Sequence, residues 1–172
     1  MDSRRDETGA GVEAPISLIS PRLYKKIAKS VPIFCVDLLI QNGEDFLLVK
    51  RRQPPLKGEY WIVGGRVLIG EDPIDAARRK AKEEVGLDLD GVTFVGYMSD
   101  VFNKNSFEST EYHTVSLVFL CSPKHTNVKL DKTSDDWKWG QLPERFLRTV
   151  SWSKTCYGSR YDPPSIPRSY RE

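Results

Sequence analysis

Apolar residues fall along this chain in short runs and spaced stripes, and their period decides the elements. In SPRLYKKIAKSVP, Leu23, Ile27 and Val31 recur at helical spacing. Ser20 is a good N-cap, Pro21 suits the first helical position and Pro32 closes the segment, which predicts a short helix within residues 16–30. A helix this short does not stand alone in water, so it should pack on the domain or on a second copy of the chain. VPIFCVDLLI is apolar and β-branched, QNGED is a turn and DFLLVKRR is the return strand, together a hairpin. Asp37 interrupts the first of these strands; a carboxylate in such a run is paired, at an edge or functional. Pro54, Pro55 and Gly58 make QPPLKGE a loop, and YWIVGG reads as one short strand ending at the glycines.

From Pro73 to Val85 the pattern turns helical, with Asp72 as cap, Pro73 in the first turn and Asp75 near the positive end of the helix dipole. Ile74, Ala77 and Ala81 form a narrow inner face, and Gly86 suits the position that ends such a helix. Beyond it, VTFVGYMSDVF, HTVSLVFLC and WKWGQL read as three strands and QLPERFLRTV as a short helix. Strands outnumber helices and one helix follows a strand and loop, so the fold class is α+β or mixed α/β. The organisation is a loose polar N-terminus over residues 1–15, the helix of 16–30, one domain over 31–150, and an extended Pro- and Tyr-rich tail over 151–172.

Composition narrows the partners. The charged residues, 29% of the chain, cancel to +2, which gives no bulk attraction to nucleic acid or membrane. A small anionic ligand held by local arginines is compatible with that balance. Cys35, Cys121 and Cys156 are scattered and contain no CxxC pair; Cys35 and Cys121 sit in apolar runs as small core residues, and a reducing cytoplasm is expected. MDSRRDETGAGVEAP has no apolar core of a secretory signal, and no apolar run approaches the roughly 20 residues that span a bilayer.

The chemistry concentrates in GGRVLIGEDPIDAARRKAKEEVGL, residues 64–87. On a helix Arg79 lies beside Glu83, and Lys80 beside Glu84. Such pairs are commonly a solvated face. Against that reading stand the alanine-lined inner face and the glycines Gly64, Gly65 and Gly70, where backbone can approach a ligand. Adjacent carboxylates with a backbone carbonyl are also the hard oxygen donors that Mg²⁺ takes.

The spacing Gly65, five residues, Glu71, seven residues, then Arg79, Lys80, Ala81, Lys82, Glu83, Glu84, Val85, Gly86, Leu87 resembles the Nudix box, G-x5-E-x7-R-E-U-x-E-E-x-G-U with U aliphatic. One position departs: Lys80 stands where the first Glu of the REUxEE segment belongs. The resemblance implies a mixed sheet flanked by helices and hydrolysis, assisted by Mg²⁺ or Mn²⁺, of a nucleoside diphosphate linked to another group. It makes Glu83, Glu84 and the Gly64 carbonyl metal ligands, Arg79 the residue that orients the glutamates, and Glu71 structural. Lys80 cannot ligate a metal and is expected to turn aside into solvent, leaving two carboxylates and at most one tightly held ion.

VDLLIQNGEDFLLVKRRQPPLKGEYWIVGGRV further resembles the GDP-mannose mannosyl hydrolase branch, whose box also lacks some glutamates and which attacks the sugar carbon. That resemblance implies Asp37, Arg51 and Arg66 at the diphosphate and a homodimer, while Glu83 would assist catalysis if attack reverts to phosphorus. Guanidinium forks suit this task because they pair bidentately with phosphate oxygens as leaving-group charge grows. The branch's Gln-His pair is replaced by Thr133 and Ser134, and a serine is a poor base near neutral pH. Asp135 or Asp136 is then a substitute base, His113 a packed strand residue, and Tyr60, Trp61 and Phe102 are core aromatics that could otherwise stack on a base. The leading expectation is a hydrolase of a GDP-mannose-like nucleoside diphosphate sugar that releases nucleoside diphosphate and sugar. The alternatives are a pyrophosphohydrolase that cuts the P–O–P link and a nucleotide-sugar-binding module without turnover.

Overall fold

The computed structural model describes residues 19–102 and 112–152. The expectations for residues 1–15, for Cys156 and for the tail from 153 onward lie outside the described residues. Helix α1 (Pro21–Ser30) leads into β1 (Ile33–Asn42), which turns through Gly43 into β2 (Asp45–Arg51). Two short strands follow, β3 (Tyr60–Trp61) and β4 (Val63–Arg66), then helix α2 (Pro73–Val85). The rest is β5 (Leu89–Phe102), β6 (Tyr112–Pro123), β7 (Ser134–Gly140), α3 (Glu144–Thr149) and β8 (Val150–Trp152).

Strand β1 organises the sheet. It pairs parallel with β6 and antiparallel with β4, while β5 pairs with β6 and β8 with β5. At its far end β1 hands over to β2, which carries β3 and β7. A strand between parallel and antiparallel neighbours is covered on both faces, which is why β1 reads as an almost unbroken apolar run. Val36, Leu38 and Ile40 face one core with Ala76, Ala77, Ala81 and Val85 of α2. Leu39 faces the other, with Trp61, Met98, Val118 and Phe146 of α3. Cys35 and Cys121 are buried free thiols, each pushed up to about 12 by burial, and so are inert near neutral pH.

Helix α2 starts and stops where the sequence indicates. The Asp72 carboxylate accepts from the Ile74 N–H, and Gly86 closes the helix at φ 70° with its N–H on the Ala81 and Lys82 carbonyls. Its inner face differs from expectation: Ile74 is exposed, and Ala76, Ala77, Ala81 and Val85 are the buried residues. Small side chains let the helix lie close to the sheet, and the first-turn Ile74 stays outside that contact.

Three more expectations change. Helix α1 packs on the domain through Tyr24, Ile27 and Ala28 against Ile33 and Cys35, whereas Leu23 and Val31 are exposed. The packing face is the i, i+3, i+4 set beginning at Tyr24, one residue round from the predicted stripe. YWIVGG is not one strand: it breaks at Ile62, β3 joining β2 and β4 joining β1. Strand β7 begins earlier than WKWGQL, at Ser134, and β8 was not foreseen, its three residues being too short for a periodic signal. No helix among the described residues is long and apolar enough to cross a membrane.

Candidate active site

A cleft of about 470 Å³ opens between α1, β1, β4 and the middle of α2, with Asp37, Gly64, Gly65, Arg66, Lys80 and Glu84 among its lining residues. Asp37 points to this side of β1, opposite to Val36 and Leu38, and is only 8% exposed. It is not at an edge, and among the described residues it has no close cation as an ion-pair partner. It is hydrogen-bonded to Ser116, and Arg51 is near enough to act on it. Burial nevertheless dominates and pushes its carboxyl up to about 6. Its neighbour across the β1–β4 ladder is Gly64. A Cβ on Gly64 would lie 2.4 Å from the Asp37 Oδ1 and 2.5 Å from the Val36 carbonyl oxygen, so only glycine leaves room for this carboxylate.

Gly65 makes room in the same way for Lys80: a Cβ there would lie 2.6 Å from the lysine Cε. Lys80 therefore does not turn aside into solvent. Its side chain is 17% exposed and lies across Gly65, with Nζ 2.6 Å from the Glu84 Oε1 and 3.4 Å from the Glu83 Oε2. The reason is helical phase. Lys80 is four residues after Ala76 and Glu84 seven after Ala77, so both share the buried stripe and emerge at its edge, over the cleft. Burial holds the Glu84 carboxyl above its ordinary range, and the Lys80 ammonium offsets only part of that rise.

One residue round the helix, Arg79 does something else. Its Nε and Nη2 donate to the two oxygens of Glu71 at 2.6 and 2.8 Å, its Nη1 to Glu83 at 3.0 Å and its Nη2 to the Arg66 carbonyl at 3.0 Å. Glu71 also accepts from the Leu68 N–H at 2.8 Å. This clamp fastens the loop between β4 and α2, and the hydrogen-bonded Arg79 guanidinium holds the Glu71 carboxyl below its ordinary range. Glu83 is 49% exposed and belongs to the clamp's outer rim; the structure does not bring it into the cleft, although sequence reasoning had grouped it with Glu84.

Both arginines line the cleft. Arg51, at the end of β2, is positioned by its Nε donating to the Pro55 carbonyl at 2.7 Å. The Arg66 guanidinium lies 4.5 Å from the ring centroid of Tyr24, a cation–π contact that ties α1 to the site. Tyr24 and Lys25 were not singled out from sequence. The signal was the phase of α1, which puts Tyr24 and Ala28 inward together.

The proposed substitute bases lie elsewhere. Asp135 pairs with Arg52 at 2.6 Å and Asp136 accepts from the Tyr60 hydroxyl at 2.6 Å, and both are exposed. Thr133 donates to Asp131, and Ser134 is buried. His113 shares a hydrogen bond of 2.8 Å with Ser99 on β5, while its neighbour Thr114 faces the cleft. His125 is exposed. Trp61 and Phe102 are core residues that reach the cleft wall, Trp61 edge-on to Phe146.

Nudix hydrolases generally use divalent ions such as Mg²⁺ or Mn²⁺, and the resemblance assigned such an ion to Gly64, Glu83 and Glu84. The donor set does not fit that ion as arranged. Glu84 is already neutralised by the Lys80 ammonium, Glu83 by Arg79, and no three acidic, His or Cys side chains converge among the described residues.

Comparison with known proteins agrees with the architecture. The chain is 28% identical over 132 residues to the low-salt glycan biosynthesis protein Agl8 of Haloferax volcanii, covering 76% of this chain and 85% of that protein. It is 30% identical over 115 residues to an ADP-ribose pyrophosphatase of Methanocaldococcus jannaschii, covering 61% of this chain and 65% of that protein. In fold it is similar to a MutT Nudix hydrolase from Burkholderia pseudomallei, with a TM-score of 0.58 at 21% identity over 71% of this chain and 88% of that one. The NUDIX domain profile matches residues 31–154. Because that match spans well over half of the chain and takes in the box around which the cleft is built, the chain belongs to the Nudix hydrolase family.

Proposed function

We propose that the cleft hydrolyses a nucleoside diphosphate linked to a sugar, of the GDP-mannose type, with attack at the sugar carbon. The observation that carries this reading is the convergence of Arg51, Arg66 and Lys80 on one cleft that Asp37 also lines. Guanidinium and ammonium groups grip a diphosphate and stabilise the charge it gains as it leaves. Asp37, with its carboxyl near 6, is ionised at neutral pH and still basic enough to take a proton from water. In the step, a water oxygen bonds to the sugar carbon, the bond from that carbon to the diphosphate oxygen breaks, and the water proton passes to Asp37.

Attack at phosphorus is the second reading. The similarity to an ADP-ribose pyrophosphatase favours it. Incubation with a panel of nucleotide sugars in H₂¹⁸O separates the two. Label in the free sugar, with unlabelled nucleoside diphosphate, supports carbon attack; label in a nucleoside monophosphate or sugar phosphate supports phosphorus attack. No turnover of any member overturns both and leaves a binding module. The reading places the chain in a reducing cytoplasm, in keeping with its buried free thiols, and as a homodimer, in keeping with the exposed Leu23 and Val31 of α1. A monomer in light scattering would refute the dimer.

A further inference from the structure

We propose that the Lys80 ammonium is a built-in cation of this cleft: it holds Glu84, keeps a divalent ion from settling on the free protein, and lets a diphosphate bind without one. The proposal rests on the reading of the cleft as a diphosphate site and departs from what the family's box implies.

The position of Lys80 is built rather than incidental. Its stem fills the space that Gly65 leaves by having no side chain. Its helix cannot rotate to release it, because Ala76, Ala77 and Ala81 are fully buried against the sheet on the same stripe. Its Nζ lies 2.6 Å from Glu84 Oε1, and at 17% and 15% exposure neither partner is loosely solvated. An exposed pair at this spacing would be worth little, but a mostly buried one holds its geometry.

Two consequences follow. A divalent ion on Glu84 would have to displace the ammonium or sit beside it, and at such range in a partly dry cleft the repulsion between like charges is large. The ammonium also has three donors, and its two carboxylate contacts leave one for a ligand oxygen. Across the cleft, Lys25, Arg51, Arg66 and Lys80 face Asp37 and Glu84. That excess of positive charge complements a diphosphate diester, which brings one negative charge on each phosphate. In this chain protein cations supply the countercharge that Mg²⁺ otherwise brings.

The test is a Mn²⁺ titration of the free chain by electron paramagnetic resonance, on wild type, Lys80→Arg, Lys80→Met and Lys80→Glu. It is followed by calorimetric binding of ADP-ribose and of GDP-mannose, each in EDTA and in Mg²⁺. Lys80→Met should bind Mn²⁺ at least about tenfold more tightly than wild type, Lys80→Glu more tightly still, and Lys80→Arg no better than wild type. Wild type should bind ADP-ribose or GDP-mannose equally with EDTA or Mg²⁺, whereas Lys80→Met should lose affinity in EDTA and regain it with Mg²⁺. The proposal is overturned if wild type binds Mn²⁺ as tightly as the Met and Glu variants, or if EDTA abolishes its binding of the ligand it takes with Mg²⁺. If neither ADP-ribose nor GDP-mannose binds under either condition, the diphosphate reading falls, and the Mn²⁺ titration still decides whether the ammonium keeps the ion out. Should Lys80→Met fail to fold, wild type against Lys80→Glu gives the same comparison.

Discussion

Two cations stand side by side on α2 and serve different ends. Arg79 reaches outward and back to Glu71, Glu83 and the Arg66 carbonyl, and so fastens the loop that carries the box. Lys80 reaches inward across Gly65 to Glu84 and becomes part of the cleft floor. One residue is about 100° of helix. That rotation separates a charge that holds the fold from a charge that faces the ligand. Sequence spacing treats the two pairs as equals, so the difference teaches that an ion pair's role is set by what lies beneath the helix at that phase.

The largest test of this division is on the cleft side. Asp37→Asn keeps the shape of the floor and removes the base, so turnover should fall by about 10²–10⁴-fold with KM little changed. Steady-state rates within tenfold of wild type would mean that the chemistry lies elsewhere. On the loop side, Arg79→Ala leaves the mostly buried Glu71 carboxylate without its main partner and should cost about 2 kcal/mol of stability in denaturant unfolding. If it costs nothing, the clamp is not what holds the loop.

The two sides should answer pH with opposite sign. Asp37 has a carboxyl raised to about 6, so the folded state favours its neutral form. Its contribution to stability is present below the ordinary carboxylate range and is lost as pH rises through about 6, on the order of 3 kcal/mol. Turnover should rise over the same interval. Glu71 is held below its ordinary range, chiefly by Arg79, so its contribution is present above that range and is lost as pH falls through the depressed value. Unfolding curves across pH for wild type, Asp37→Asn and Glu71→Gln would show each slope vanish in its own variant. The smallest effect is expected at Glu83→Gln. Half exposed and on the rim, it should cost under about 1 kcal/mol and change turnover little. A loss of turnover as large as that of Asp37→Asn would return Glu83 to the catalytic group.

Much of this was legible in the residues. The caps of α2, its termination at Gly86 and the hairpin of β1 and β2 follow from local chemistry and appear where that chemistry places them. Box spacing named the family. The misplacements were of phase and partner. Leu23 and Ile74 match a helical period and lie outside, because a short amphipathic helix offers neighbouring stripes of similar apolarity and only its contact surface chooses between them. Asp135 and Asp136 stood near the place of a lost base, yet β7 is irregular there and the two are exposed, held by Arg52 and Tyr60.

By itself the sequence determined the order of elements, the family and the charged residues available, because caps, periods and motif spacing are local properties of the chain. Only the tertiary structure decided which of those charges meet. Asp37 and Gly64 are 27 positions apart and become neighbours through the β1–β4 ladder, and Lys80 enters the cleft because buried alanines fix the helix against the sheet. Glycine's missing side chain is visible in any sequence; what fills the space it leaves, Asp37 at one and Lys80 at the next, depends on strands and helix packed together.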